Sequence, residues 1–173
     1  MPEWSVHEHI AQLDGIDRRI MHIVNKMIDT FHQLARRGEL RGINPEEAEW
    51  ALVDVVFSSI NNVRNEYERV MGLKAAAHHY VLDYLEKMRM HVLISIAYEE
   101  GLNGVYRYLQ QASDKEVRSV IASAGIISGI DAIKEQLMRL LSEWYKINKM
   151  EDPSELGNAA LQFAELLKSL PRP

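Results

Sequence analysis

Apolar residues recur along this chain at spacings of three and four, with little strict alternation, as helices that bury one face require. The first such stretch is predicted from about Ser5 to Arg37, with Ile10, Leu13, Ile20, Val24, Met27, Phe31 and Leu34 as its stripe. Gly15 is a candidate interruption, because a glycine inside a helix costs about 1 kcal/mol relative to alanine. Gly38–Asn44 is polar and glycine-marked and reads as a loop. Asn44-Pro45-Glu46-Glu47 is then a start signal: Asn44 can cap, Pro45 fits the first helical position, and Glu47 can reach back. The second helix carries Ala48, Leu52, Val55, Val56, Ile60, Val63, Tyr67 and Val70, with Gly72 as a left-handed stop. A third is expected from near Lys74 through Tyr98, its stripe of Val81, Leu85, Met88 and Val92 widened by Tyr84, Leu93 and Ile96. Gly101 breaks it, and a short helix from Leu102 to about Gln111 follows.

Ser113 and Glu116 form a capping box that opens a fourth long helix through Val117, Val120, Ala124, Ile127, Ile130, Ile133, Leu137, Leu140, Leu141 and Trp144. Asp152-Pro153-Ser154-Glu155 opens the last, with Leu156, Ala160, Phe163, Leu167 and Leu170 facing inward. There is no internal repeat and no linker-like stretch. The pattern predicts an all-α fold, a single helical bundle of about five to seven helices, with residues 1–173 as one helical domain.

Composition narrows the chemistry. The 173 residues are 47% apolar and 26% charged, which excludes a disordered or collagen-like chain. With no cysteine, disulfides, thiolate nucleophiles and Cys-ligated zinc are excluded. Twenty Lys+Arg against 25 Asp+Glu give a net charge of −5, so no global pull toward nucleic acid or an anionic membrane follows. No apolar run reaches the ~18 residues of a membrane span. The amino-terminal MPEWSVHEHIAQLDG has no basic region followed by an apolar one, so a cytoplasmic location is expected.

Seven histidines raise the question of a metal. Diiron carboxylate bundles use Glu-x-x-His pairs, and this chain has none, only Asp29-x-x-His32. His7 and His9 stand two apart and diverge by roughly 200° on a helix, and His78 and His79 are adjacent, so neither pair easily shares an ion. These histidines read as surface or capping residues; no metal ligand and no cofactor is assigned. Gly-x-Ser-x-Gly, phosphate-loop and dinucleotide fingerprints are absent. The pairs Glu46/Glu47 and Glu99/Glu100 read as exposed charge, so no catalytic residue is assigned and a non-enzyme is expected.

Gly125 and Gly129 place small residues four apart on one predicted helical face, where another backbone could approach closely, within the bundle or as an interface. Arg36, Arg37 and Arg41 crowd the end of the first helix, and Lys87, Arg89 and Arg107 share a face if the break at Gly101 folds the short helix back. Such clusters complement helix C-termini, or contact phosphates in a salt-dependent way.

Two resemblances bear on function. Trp4-Ser5-Val6-His7-Glu8-His9-Ile10 is faintly similar to the metal-binding helical bundles of the DNA-damage-inducible type. That type needs three histidines on facing helices, and His78, His79 and His91 are what the later helices offer. His91-Val-Leu-Ile-Ser-Ile-Ala-Tyr-Glu-Glu-Gly-Leu-Asn-Gly-Val-Tyr-Arg-Tyr-Leu109, Leu140-Leu-Ser-Glu-Trp-Tyr145 and the Ala-rich Asn158–Lys168 resemble the small helical subunit of type III-B CRISPR effector complexes, over about residues 85–170. The chain departs from that pattern at Arg89-Met90-His91, where the family has Leu-Pro, and at Glu100, where it has Asn. The resemblance implies a non-catalytic subunit of an RNA-guided antiviral ribonucleoprotein, with other protein subunits and the guide RNA or target backbone as partners. Lys87, Arg89, Arg107, Arg36 and Arg37 are the candidate nucleic-acid contacts, chosen by charge clustering. The alternatives are a self-associating, homo-oligomeric helical scaffold, or a metal-dependent helical-bundle enzyme.

Overall fold

Short polar side chains start four of the helices in the computed structural model, which describes residues 4–44 and 51–170. Asp17 accepts from the N–H groups of Arg19 and Ile20, Asn65 from Glu68, Ser113 from Glu116, and Asp152 from Ser154 and Glu155. Each satisfies N–H groups that the first helical turn leaves free. Among the described residues there are eight helices and no strand: α1 Trp4–Leu13, α2 Arg18–Arg36, α3 Val53–Asn61, α4 Glu66–Lys87, α5 His91–Gln111, α6 Asp114–Ser123, α7 Ile130–Lys149 and α8 Pro153–Ser169.

The all-helical class is as the periodicity predicts, and the count exceeds five to seven because four predicted helices divide while only two pairs of pieces fuse. The first divides at Gly15. The second does not stop at Gly72: it breaks earlier, at Asn62–Asn65, and Gly72 lies inside α4. The reason is packing, since a Cβ on Gly72 would stand 2.8 Å from Cγ2 of Ile60, so α4 crosses α3 closely there. The third ends at Lys87 because Arg89 takes a left-handed conformation (φ 55°), with Met90 N–H donating to Leu85 O and Arg89 N–H to Glu86 O. The fourth divides at Ala124–Gly129. The start signal at Pro45-Glu46-Glu47 lies outside the described residues.

α4 is the hub. It packs against α1, α2, α3, α5, α7 and α8, and nearly every residue from Gly72 to Leu85 is buried. A helix buried all round can carry polar side chains only where a neighbour supplies partners. Tyr80, Tyr84, Phe57, Phe163 and Trp144 are the largest side chains fully buried in one continuous apolar cluster. Asn25 of α2 meets His79 of α4, and Arg36 and Lys87 at the far ends both act on His32, so these two helices run parallel.

Candidate metal centre

Four of the seven histidines are buried, which corrects the expectation of surface histidines. His7, His78 and His79 are 0% exposed and His32 1%. The helical geometry explains it: the members of each close pair point in different directions. His7 faces the core and His9 solvent; His78 faces α1 and α7, and His79 faces α2.

On one side of α4, His78 Nε2 lies 2.7 Å from Asp14 Oδ2. Asp14 also accepts from the backbone N–H groups of Leu102 (2.8 Å) and Asn103 (3.0 Å). It thereby caps the second segment of α5, which restarts at Gly101 (φ 77°, ψ 178°). Only glycine fits at that residue: φ is positive, and a Cβ would stand 2.4 Å from Asp14 Oδ1. Asn148 of α7 donates to the Asp14 carbonyl at 3.2 Å. This carboxylate is saturated with donors and acts as a structural lock.

On the other side stand His7 from α1 with His79 and Asp83 from α4. His79 and Asp83 are four residues apart, so their side chains project from the same helical face. One ligand atom from each residue falls within 4.8 Å of the other two. His79 Nε2 is 3.0 Å from Asp83 Oδ2, and His7 Nε2 is 3.4 Å from Asp83 Oδ1. The two imidazoles stack with centroids 4.5 Å apart and planes 12° from parallel. An ion with bonds of about 2.1 Å spaces neighbouring donor atoms about 3.0–3.4 Å apart in tetrahedral or octahedral geometry, so both contacts have the spacing of ligands to one ion.

Hydrogen bonding does not account for the cluster. Neither His7 nitrogen, nor His79 Nε2, nor Asp83 Oδ1 has a hydrogen-bond partner, although all are buried. A buried polar atom left unsatisfied costs roughly 1–3 kcal/mol. The tautomer sharpens the point. With the Asn25 amide as placed, His79 Nδ1–H donates to Asn25 Oδ1 at 2.8 Å. That leaves Nε2 as the atom directed at the carboxylate, 3.0 Å from Asp83 Oδ2, which is the spacing of two ligands to one ion. Burial pushes the His7 imidazole down to about 4, against the attraction of Asp83, which keeps it neutral at pH 7. Burial alone would raise Asp83, but the charge of His79 and the contacts of both imidazoles outweigh it and hold the carboxyl below its ordinary range. Neutral imidazole and ionised carboxylate are the protonation states that metals bind.

The residues proposed from charge clustering lie elsewhere. Arg36 ends α2, Arg37 caps it, and both are exposed. Lys87 ends α4 and is half-buried, and Arg89 is exposed at the turn into α5. Arg36 and Lys87 both act electrostatically on His32, which brings these two helix ends together. Arg107 is exposed beyond the Gly101 kink, with sixteen residues of α5, about four turns, between it and the amino end of that helix near Arg89. Gly125 and Gly129 are not on a helical face. Both are left-handed (φ 87° and 69°) in the loop between α6 and α7, and a Cβ on either would meet nothing within 4 Å. The small-residue helix crossing is therefore corrected to a loop, at whose tip Ile127 is 88% exposed. The helices beside it are tied by Asp114, which pairs with Arg118 and Lys134, and by Arg118 with Asp131.

The missed signal was His79-x-x-x-Asp83, an i, i+4 pair of metal-ligating types. The contribution of His7 came from across the bundle, where spacing along the chain says nothing. Set against known protein families, curated proteins and solved structures, the chain matches none. The likeness to the CRISPR subunit rests on the residue patterns alone.

Proposed function

We propose that this chain is a metal-dependent helical-bundle enzyme, with a divalent transition-metal ion held by His7, His79 and Asp83. The observation that carries the reading is the convergence of two buried imidazoles and a buried carboxylate, from two helices, on one centre, with both His7 nitrogens, His79 Nε2 and Asp83 Oδ1 lacking hydrogen-bond partners. Two imidazoles and one carboxylate suit Fe2+, Mn2+ or Zn2+. Three protein ligands leave coordination positions for water or substrate, as catalytic rather than structural sites do. Asn25 is the positioning residue: by accepting a hydrogen bond from His79 Nδ1–H it presents Nε2 to the ion. Metal analysis of the chain purified without an affinity tag, and again after dialysis against each ion, tests the reading. A tightly held ion lost in Asp83→Asn supports it. A protein that retains no ion from micromolar solution defeats it.

A second reading keeps the chain as a subunit of an RNA-guided antiviral complex. It is favoured by the approach of Arg36 and Lys87 at neighbouring helix ends. Replacing Lys87, Arg89 and Arg107 by glutamate should then weaken RNA binding and flatten its salt dependence. Unchanged binding at low salt argues against it.

A further inference from the structure

Three histidines remain exposed, and one of them is not placed like the others. His22 Nδ1 lies 2.5 Å from Oε1 of Glu8, a carboxylate of α1 that is only 8% exposed. Nδ1–H donates to that carboxylate, which leaves the lone pair on Nε2. The Trp4 ring meets the imidazole edge-on, with centroids 5.5 Å apart. These contacts fix the ring on its inner side, yet the side chain as a whole is 52% exposed. Nε2 makes no hydrogen bond among the described residues. His9 and His91 provide the contrast. His9 spends Nε2 on the Tyr98 carbonyl at 2.9 Å, and His91 has no carboxylate partner among the described residues. A buried carboxylate that orients an accessible imidazole is the arrangement that activates histidine for chemistry.

The surroundings of Nε2 select an anionic reactant. Arg18 and Lys26 stand four residues to either side of His22, on the same face of α2, and both are exposed. Arg18 is also aimed: its Nε lies 3.4 Å from Glu8 Oε2, which holds the guanidinium beside the ring and leaves its terminal N–H groups for an anion. A shallow depression of about 480 Å3, lined by Glu8, Arg18, Arg19, His22 and Ile23, opens there. We propose that His22 is a phosphoacceptor, whose Nε2 takes the phosphoryl group of an acyl phosphate or a phosphoramidate. Nε2 gives its lone pair to phosphorus and forms the N–P bond. The P–O bond of the acyl phosphate, or the P–N bond of the phosphoramidate, breaks, and the carboxylate or amine leaves with the electron pair. Nδ1 keeps its proton, so no base is needed, and the positive charge developed on the ring faces Glu8. Arg18 and Lys26 meet the phosphoryl oxygens. Nε2 is the reacting atom and Glu8 the positioning residue.

The test uses the full chain in chelator, so that no ion takes part. It is incubated with potassium phosphoramidate and, separately, with acetyl phosphate. Peptide mass spectrometry and phosphorus NMR in alkali, where N–P bonds persist, locate the label. A phosphoryl group on His22 Nε2, formed about tenfold faster than any on His91, supports the proposal, and the donor that works identifies the source. His22→Gln should remove the label. Glu8→Gln should slow labelling about tenfold, because the tautomer is no longer fixed, and Arg18→Gln about threefold, as one exposed charge does. No label from either donor overturns the proposal. Equal rates at His22 and His91 overturn it as adventitious modification, and a phosphoryl group on Nδ1 overturns the assigned role of Glu8. These comparisons are made in the unaltered chain, so they decide the matter even if Glu8→Gln fails to fold.

Discussion

His78 and His79 are neighbours in sequence and equally buried, yet they stand in opposite kinds of surroundings. His78 faces a carboxylate whose oxygens are used up: Asp14 holds the imidazole, caps two backbone N–H groups of α5, and has its own carbonyl tied to α7. His79 faces a carboxylate that is under-used, beside a second imidazole without partners. His78 keeps one buried nitrogen, Nδ1, without a partner, whereas His7, His79 and Asp83 leave four such atoms around one centre, a stability debit that a ligand would offset. One side of α4 thus ties the bundle together, and the other carries the proposed metal ligands.

The largest effect expected is acid destabilisation of the metal-free chain. Burial lowers His7 and His32 to about 4, from 6.5 in the unfolded chain. Between those values the unfolded state binds more protons than the folded one, so stability rises with pH across the window and is lost as pH falls from about 6.5 toward 4. Each group contributes about 3 kcal/mol over the full window. Asp83, held below its ordinary range, adds a loss of the same sign at pH values lower still. Urea unfolding in chelator at pH 7 and pH 5 measures this. Equal midpoints would mean the cluster is wetter than its burial indicates.

Next in size, Asp14→Ala should cost about 3–5 kcal/mol, because it leaves His78, the buried Leu102 N–H and the half-buried Asn103 N–H stranded at once. Its metal content should not change. Asp83→Asn should weaken metal binding at least 100-fold, and it should also lower metal-free stability, because the fold favours the ionised carboxylate. The comparison breaks if the two substitutions act alike on metal binding. Denaturant melts and metal titrations on both proteins decide it.

These contrasts also show where the sequence is readable. Caps and apolar stripes are local, so Ser113, Asp152 and the stripe of α7 appear in the fold as the periodicity predicts. The break at Arg89 was illegible because a left-handed cap normally advertises itself with glycine, and here an arginine adopts it. Gly72 misled in the other direction, since it serves a close crossing with Ile60 rather than a helix end. Gly125 and Gly129 misled a third way: read as one face of a helix, they are turn residues. For the site, spacings of two and one along the chain point the members of each histidine pair in different directions, so neither pair by itself signals a ligand set. The ligand set draws one member from each pair and joins them across the bundle, which no single-helix spacing encodes.

Asn25 supplies the smallest of these tests and the finest. It is fully buried, its Oδ1 holds His79 Nδ1, and its Nδ2 is unsatisfied. Asn25→Leu keeps the volume similar and removes that orphaned donor, which offsets part of the lost hydrogen bond. Stability without metal should therefore stay within about 1 kcal/mol. The tautomer of His79 is then no longer fixed, and the fraction of rings presenting Nε2 as a lone pair falls. Metal affinity should drop about tenfold, at the low end of what the loss of an orienting partner does. Asn25→Asp should restore or raise affinity, because its carboxylate accepts the same hydrogen bond more strongly. If leucine leaves affinity untouched, the ion does not depend on the His79 tautomer, and the contrast between the two faces of α4 loses its chemical basis. Competition with a chromophoric chelator reads the difference directly.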